Sequence, residues 1–170
     1  MNLPENDCQI LKLTDVFYRT YPNPPYKEIL KKKQRAYNCL LFQTHYDYFI
    51  CIPYRTEISH EYSFQFTNTA RSKKHKSGLD YSKIVIIAKT EYIDSTEAVI
   101  DKDEFNETMI NLEKIKKEAS AFVEEYVNHI DCRNHHGNSE NGSANRPDNI
   151  SCFHSALHST HFALLSKENI

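Results

Sequence analysis

Two short basic segments carry residue types that could bind phosphate and exchange protons. Residues 27–35 hold five Lys or Arg, and ARSKKHKSGLDYSK at 70–83 places four cations and His75 within six positions. Lys and Arg bind phosphate through charge, and Arg adds a two-pronged hydrogen-bonding geometry. His titrates near neutral pH, which suits proton transfer. Such runs are also common as solvated surfaces, so composition alone leaves both interpretations open.

RNA cleavage without a metal would need few groups. One group takes the proton from the ribose 2′-OH, another protonates the leaving 5′-oxygen, and cationic donors stabilise the phosphorane between them. Tyrosines near the basic segments could stack on unpaired bases. The candidates for proton transfer, besides the Lys and Arg side chains, are His60, His75, Thr56, Ser77 and Tyr81.

The C-terminal part offers a second constellation. Its Cys and His residues resemble the ligands of a structural zinc site, although the segment between them is irregular and some of these His could equally lie on a helix surface. The residues are Cys132, His135, His136, Cys152, His154, His158 and His161.

Composition limits the class of protein. A chain of 170 residues with 39% hydrophobic content is sufficient for one folded domain. The net charge of −2 means that any attraction to nucleic acid must be local, and the two basic segments indeed hold nine of the 21 Lys and Arg. No signal peptide or membrane-spanning run is visible, which favours a cytoplasmic protein with reduced cysteines. With three glycines and no Gly-rich loop, nucleotide-binding folds are disfavoured.

The hydrophobic pattern predicts an antiparallel sheet. Residues 8–22 predict a strand and a short helix, and 36–43 with 46–54 predict a hairpin whose second strand ends, or lies at an edge, at Pro53. Residues 62–68 alternate as a half-buried strand does, and 83–89 form the best buried strand. Residues 91–94 and 97–100 are expected to extend the sheet. The short connections favour antiparallel pairing.

One long helix is predicted at 101–130. Asp101 and Glu104 have capping-box spacing, and apolar residues recur at steps of three and four. The polar segment 131–149 predicts a flexible linker, and 150–170 a short docking segment, so that 1–130 form the single main domain. The apolar stripe consists of Phe105, Met109, Leu112, Ile115, Ala119, Phe122, Val123, Tyr126 and Ile130.

The middle of the chain resembles a known family. AYNCLLFQTHYDYFICIPYRTEISHEYSFQF, then TARSKKHKSGLDYSKIVII and EYID, are similar to the TenpN branch of the type III toxin–antitoxin endoribonucleases, relatives of the ToxN and AbiQ toxins. The resemblance implies a compact twisted antiparallel β-core like that of the MazF and Kid toxins. It also implies a metal-independent endoribonuclease, without a cofactor, that leaves 2′,3′-cyclic phosphate and 5′-hydroxyl ends. The implied partners are substrate mRNA and a small repeat RNA antitoxin in a ring of alternating protein and RNA. The implied roles are phage defence and plasmid maintenance.

The resemblance also suggests site residues. Arg35 occupies the place of a basic residue before the first core strand, and Thr56 matches a hydroxyl in the turn after the next strand. Arg55 stands where ToxN has a second hydroxyl, and a nearby lysine is absent, so His60 and the 71–77 loop would supply the missing groups. The expected catalytic residues are Arg35, Arg55, Thr56, His60 and Arg71. The expected RNA-binding residues are Lys31, Lys32, Lys33, Lys73, Lys74, His75, Lys76, Ser77 and Tyr81.

Two other classes remain open. A non-catalytic RNA-binding relative would share the basic face and its salt-sensitive binding. A small zinc-stabilised interaction module would depend on the C-terminal Cys and His residues. Asp80, in the 71–83 region, could shape the loop or contact RNA, or could simply be a turn residue that bonds its own backbone.

Overall fold

The computed structural model describes residues 8–22, 38–43, 48–96 and 98–135, with residues 129–135 described by their backbone only. This part of the chain is α+β with an antiparallel sheet, as the sequence predicts. The elements are β1 Cys8–Leu13, α1 Asp15–Thr20, β2 Cys39–Gln43, β3 Phe49–Arg55, β4 Ser63–Gln65, β5 Gly78–Asp80, β6 Val85–Ile87, β7 Ile93–Asp94, α2 Lys102–Ile110 and α3 Leu112–His135. Short 3-10 turns lie at Tyr81–Lys83 and Thr90–Tyr92.

The seven strands form one sheet in the order β4-β5-β3-β2-β1-β7, with β6 also paired to β3. All of these pairs are antiparallel. The predicted hairpin is confirmed by the β2–β3 ladder, in which Leu41 lies opposite Cys51. Strand β3 is central because β2 pairs along one of its sides while β6 and β5 share the other.

Pro53 does not end β3, which continues to Arg55. The N–H of Tyr54 donates to the carbonyl of Asn38 on the β2 side, and successive N–H groups of a strand point to opposite sides. The nitrogen of Pro53 therefore faces the other side, between the last β6 pair at Cys51 and the first β5 pair at Tyr54. A residue without a donor is tolerated there because no ladder partner is opposite it.

Hydrophobic cores cover both faces of the central strands, which explains their nearly continuous apolar sequence. One face packs against α3, and its buried members include Leu40, Ile50, Ile52, Phe64, Leu79, Ile115, Ala119 and Val123. The other face packs against α1, and its buried members include Cys39, Leu41, Phe49, Cys51, Phe17 and Tyr92. Cys39 and Cys51 are free thiols, and both are buried in this core.

The predicted single helix at 101–130 is divided in two at Asn111. The side-chain amide of Asn111 donates to the carbonyl of Glu107, so it competes for backbone groups at the end of α2. Helix α3 then continues to His135, five residues beyond the predicted end. In the apolar stripe, Ile115, Ala119, Val123 and Tyr126 are buried, as expected. Phe105 is instead an exposed apolar residue.

Two further expectations are corrected. The capping box does not form, because the Asp101 side chain makes no cap hydrogen bond, and both Asp101 and Glu104 pair with Arg71. Residues 98–100 are not a strand; the N–H of Ala98 makes one hydrogen bond to the carbonyl of Ile10. The strands predicted at 62–68 and 83–89 are present but shorter, as β4 and β6. Residues 136–149 of the expected linker and the expected docking segment lie outside the described residues.

Candidate functional site

The end of β3 and the turn that follows it form one side of the candidate site. Arg55 is the last residue of β3 and lies opposite Gly78 of β5. Glu57 has a positive φ of 58°, which turns the chain sharply after Thr56. Ile58 is buried and donates its N–H to the carbonyl of Lys76. The turn is thus held against the segment that precedes β5.

The Asp80 carboxylate contacts the other polar side chains of this site. It is the last residue of β5 and is fully buried. Its Oδ2 accepts a hydrogen bond of 2.5 Å from Nη1 of Arg55. Its Oδ1 accepts from the N–H and the hydroxyl of Ser82, at 3.0 and 2.6 Å, and lies 3.4 Å from Nε2 of His60. One buried carboxylate therefore contacts both a guanidinium and an imidazole.

Arg55 and His60 remain accessible although Asp80 does not. Their side chains are 29% and 21% exposed. Among the described residues, the one side-chain hydrogen bond of Arg55 is the bond from Nη1 to Asp80, which leaves its other guanidinium N–H groups able to bind an anion. Nδ1 of His60 is buried and has no hydrogen-bond partner among the described residues. The arrangement offers a cationic donor and a proton carrier side by side.

A basic turn, defined as residues 71–76, lies next to the 55–60 turn. Lys73, Lys74 and Lys76 are exposed and make no ion pair within the described part of the chain. Nδ1 of His75 lies 2.6 Å from the Glu57 carboxylate, which adds to the Ile58–Lys76 backbone bond between the two turns. The backbone of the basic turn is therefore held against the turn that follows Arg55, and its three lysines have no acidic partner among the described residues.

Side-chain hydrogen bonds fix the start of the basic turn. The Ser72 hydroxyl accepts from the N–H of Thr69, and the Thr69 hydroxyl accepts from the N–H of Ser72. The N–H of Ala70 donates to the Asp103 carboxylate at 2.6 Å, and this bond lowers the pKa of Asp103. The lysines thus project from a backbone that is tied to α2.

Arg71 pairs with α2 and not with Asp80. Its guanidinium contacts Oδ2 of Asp101 at 2.5 Å and Oε1 of Glu104 at 3.5 Å. Glu104 is 3% exposed, and this burial raises the pKa of its carboxyl, while the charge of Arg71 opposes the rise. The predicted catalytic residue Arg71 therefore compensates a buried acid and anchors the basic turn.

The other predicted site residues divide into three groups. Thr56 is half-buried, directly after Arg55, and its side chain makes no hydrogen bond to the described residues. Ser77 and Tyr81, expected to bind RNA, have buried side chains, and the Tyr81 hydroxyl donates to Glu118 at 2.8 Å. These two side chains support the interior and do not lie on the surface open to RNA. Arg35, Lys31, Lys32 and Lys33 lie outside the described residues.

Sequence reasoning missed Ser82 and left the role of Asp80 open. The Asp80-x-Ser82 spacing does signal a local turn, because an Asp side chain often accepts from the N–H two residues later. That bond is present, at the start of the 3-10 turn. No pattern in one sequence indicates that Asp80 meets Arg55, since 25 positions separate them and β5 has only three residues.

Comparison with protein-family models, with curated proteins and with solved structures finds no match for this chain. Among the described residues, no helix is long and apolar enough to cross a membrane. Within the same residues, no three His, Cys, Asp or Glu side chains are grouped so that they could hold a metal ion. The Cys and His side chains of the possible zinc site lie outside that part of the chain.

Proposed function

We propose that this chain is a sequence-selective endoribonuclease toxin of a type III toxin–antitoxin system. The observation that carries the proposal is the contact of one buried carboxylate, Asp80, with the partly exposed Arg55 and His60. The turn that carries Arg55 and His60 is joined to the basic turn, whose three lysines have no acidic partner among the described residues. The resemblance at IPYRTEISH and RSKKHKSGLDYSKIVI supports the same assignment, because both segments contribute to this one region.

The proposed reaction is an internal transfer at phosphorus. The ribose 2′-oxygen forms a bond to the adjacent phosphorus, and the bond to the 5′-oxygen breaks. The proton of the 2′-OH is taken by a base, and the 5′-oxygen receives a proton, which yields a 2′,3′-cyclic phosphate and a 5′-hydroxyl. Arg55 would stabilise the negative charge on the phosphorane, and His60 would carry one of the protons.

The remaining parts of the proposal follow from the resemblance. The β-core would be of the MazF and Kid type, and Arg35 with Lys31, Lys32 and Lys33 would extend the RNA-binding face. A small repeat RNA would inhibit the toxin in a closed protein–RNA ring. The protein would act in a bacterial cytoplasm, in phage defence.

The test is cleavage of a defined mRNA by the purified full-length chain in EDTA, with the fragment ends mapped. Cyclic-phosphate ends are expected, and Arg55→Ala is expected to lower the cleavage rate about 10²–10³-fold. Arg19→Ala is the matched control, because Arg19 is an exposed arginine on α1 and makes no ion pair among the described residues. It should cleave like the wild type.

RNA that stays intact with and without divalent metal, while still binding in a salt-dependent way, would favour the non-catalytic RNA-binding relative. Equal cleavage by wild type and Arg55→Ala would remove Arg55 from the proposed site. The stability of Arg55→Ala is measured by urea unfolding. If it equals that of the wild type, loss of the fold is excluded as the reason for lost cleavage.

A further inference from the structure

Asp80 holds two reactive side chains with two different oxygens. Oδ2 contacts Nη1 of Arg55, and Oδ1 faces Ser82 and Nε2 of His60. Asp80 is fully buried, so it does not touch RNA in this conformation. A buried carboxylate is stable only when charge and hydrogen bonds compensate it. Here both compensating side chains reach the surface.

We propose that Asp80 is the positioning residue of the site, which holds Arg55 and His60 as one unit and, through Ser82, selects the tautomer of His60. This inference rests on the proposed function, because it assigns Asp80 and Ser82 a role in that same reaction. Neither residue would contact the scissile phosphate. Their effect would be transmitted through the orientation of the guanidinium and the imidazole.

The tautomer follows from the geometry of Ser82. Its hydroxyl has one hydrogen and two neighbours, Oδ1 of Asp80 at 2.6 Å and Nε2 of His60 at 3.2 Å. Asp80 Oδ1 can only accept when the carboxyl is ionised, and its contact is the shorter one, so the hydroxyl donates to Asp80. The Ser82 oxygen then accepts from an N–H at Nε2. In neutral His60 the lone pair is left on Nδ1.

In this tautomer Nδ1 is the acceptor of the ring. It is buried without a partner among the described residues, and an unpaired buried acceptor is unfavourable. Nδ1 is covered in this conformation, so the 2′-OH of RNA would satisfy it only once RNA binding displaces the groups that cover it. Ser82 and Asp80 would therefore orient the ring so that Nδ1 takes the proton, in the way a buried acid orients a catalytic histidine.

The first test uses the free full-length protein and does not depend on RNA cleavage. Nitrogen-15 NMR of labelled histidine, at a pH well above neutrality, should show His60 protonated at Nε2. The His60 signals are assigned by their absence in His60→Gln. In Ser82→Ala and in Asp80→Asn this single tautomer should give way to a mixture, while His75, which faces Glu57, keeps its own signals.

The second test measures cleavage rates under saturating RNA. Asp80→Asn should lower kcat about 10²-fold, as expected for a misplaced catalytic group, with KM little changed. Ser82→Ala, which keeps the Arg55–Asp80 pair, should lower kcat less. The double variant Arg55→Ala/Asp80→Asn should be hardly slower than Arg55→Ala alone, because residues that act as a unit are not additive. Ser95→Ala, an exposed serine, is the control.

Asp80→Asn could lose the fold, so Ser82→Ala and Arg55→Lys, which keeps the positive charge beside Asp80, are measured with it. A native His60 protonated at Nδ1, or a tautomer unchanged in Ser82→Ala, would overturn the positioning role. Additive losses in the double variant would also overturn it. A chain that shows the expected tautomer but never cleaves RNA would refute the proposed function and leave the orientation of His60 by Asp80 established.

Discussion

The Arg71 guanidinium lies 3.5 Å from the buried carboxylate of Glu104 and 2.5 Å from Asp101. These contacts join the basic turn to the first turn of α2. The Ala70–Asp103 bond adds a third connection between the same two segments. The lysines of the basic turn are thus presented by a backbone whose position is set by acids of α2, far away in sequence.

Replacing Arg71 should cost stability. Arg71→Ala leaves Glu104 buried without its cation, and we expect the free energy of unfolding to fall by about 1–3 kcal/mol, measured by urea unfolding at neutral pH. Arg71 is 37% exposed, so solvent screening keeps the loss in this range. The double variant Arg71→Ala/Glu104→Gln should recover part of the lost free energy of unfolding, because it no longer buries an unpaired carboxylate. A stable Arg71→Ala protein that fails only in RNA cleavage would instead indicate a catalytic role for Arg71.

Ionisation of Glu104 should contribute to the pH dependence of the free energy of unfolding. Burial raises the pKa of this carboxyl above its ordinary 4.5, so the folded protein holds the proton more tightly than the unfolded chain. Its contribution to stability is therefore complete below about pH 4.5 and is lost as the pH rises through the folded-state pKa. Gln at position 104 does not ionise, so the free energy of unfolding of Glu104→Gln should rise relative to that of the wild type as the pH rises.

Asp103, which lies next to Glu104, should change the stability with pH in the opposite direction and so provides a control. The hydrogen bond from Ala70 lowers the pKa of Asp103 below its ordinary 3.8. Its contribution is present above that value and is lost as the pH falls through the folded-state pKa. Asp103→Asn should therefore be less stable than wild type at neutral pH and equal to it in acid. Parallel pH profiles for the two variants would contradict at least one of the two assignments.

The exposed lysines of the basic turn should affect RNA binding more than stability. Replacing Lys73, Lys74 and Lys76 by Ala should weaken RNA binding and make the slope of log K against log salt less negative by about 2, at ~0.7 per phosphate contact with a single strand. Affinity is measured by fluorescence anisotropy over a salt series. The control removes Lys89, Lys102 and Lys117, three exposed lysines elsewhere. Equal slopes in both triple variants would exclude the basic turn as the RNA contact.

Gly78 should not tolerate a side chain. A Cβ at this position would overlap the carbonyl oxygen of Phe64 and lie 2.9 Å from Cα of Gln65, both backbone atoms of β4. Gly78→Ala should therefore push β4 from β5 and lower the free energy of unfolding by about 3 kcal/mol, measured by urea or thermal unfolding. Because Asp80 ends β5, the same variant should lose cleavage. Native stability would mean that β4 and β5 are not packed as described.

A substitution at Tyr81 distinguishes a role in the protein interior from a role in RNA binding. Its hydroxyl donates to Glu118 of α3, and burial raises its pKa. Tyr81→Phe should lower the free energy of unfolding by about 1 kcal/mol, the value of one hydrogen bond to a charged group that is partly exposed, and leave RNA affinity unchanged. Urea unfolding and anisotropy measure the two effects. Lower affinity with unchanged stability would show that the ring contacts RNA.

Local pattern was sufficient for the elements with strong periodicity. Alternating and continuous apolar runs predicted β1, β2 and β3 and the buried face of α3, because burial of these residues dominates their conformation. The sequence pattern gave the wrong local structure where side-chain hydrogen bonds and ion pairs compete with the predicted ones. Asn111 divides the predicted helix through a side-chain bond to the Glu107 carbonyl, and Arg71 takes the two acids of the expected capping box.

For the candidate site, the sequence by itself determined which turns are involved, since the IPYRTEISH and RSKKHKSG segments supply its Arg, His and Lys residues. Only the tertiary structure decided how they are organised. Asp80 reaches Arg55 because β5, three residues long, pairs with the end of β3 across 25 positions. Such a contact depends on strand pairing and burial of the whole sheet, and no local preference of Asp80 encodes it.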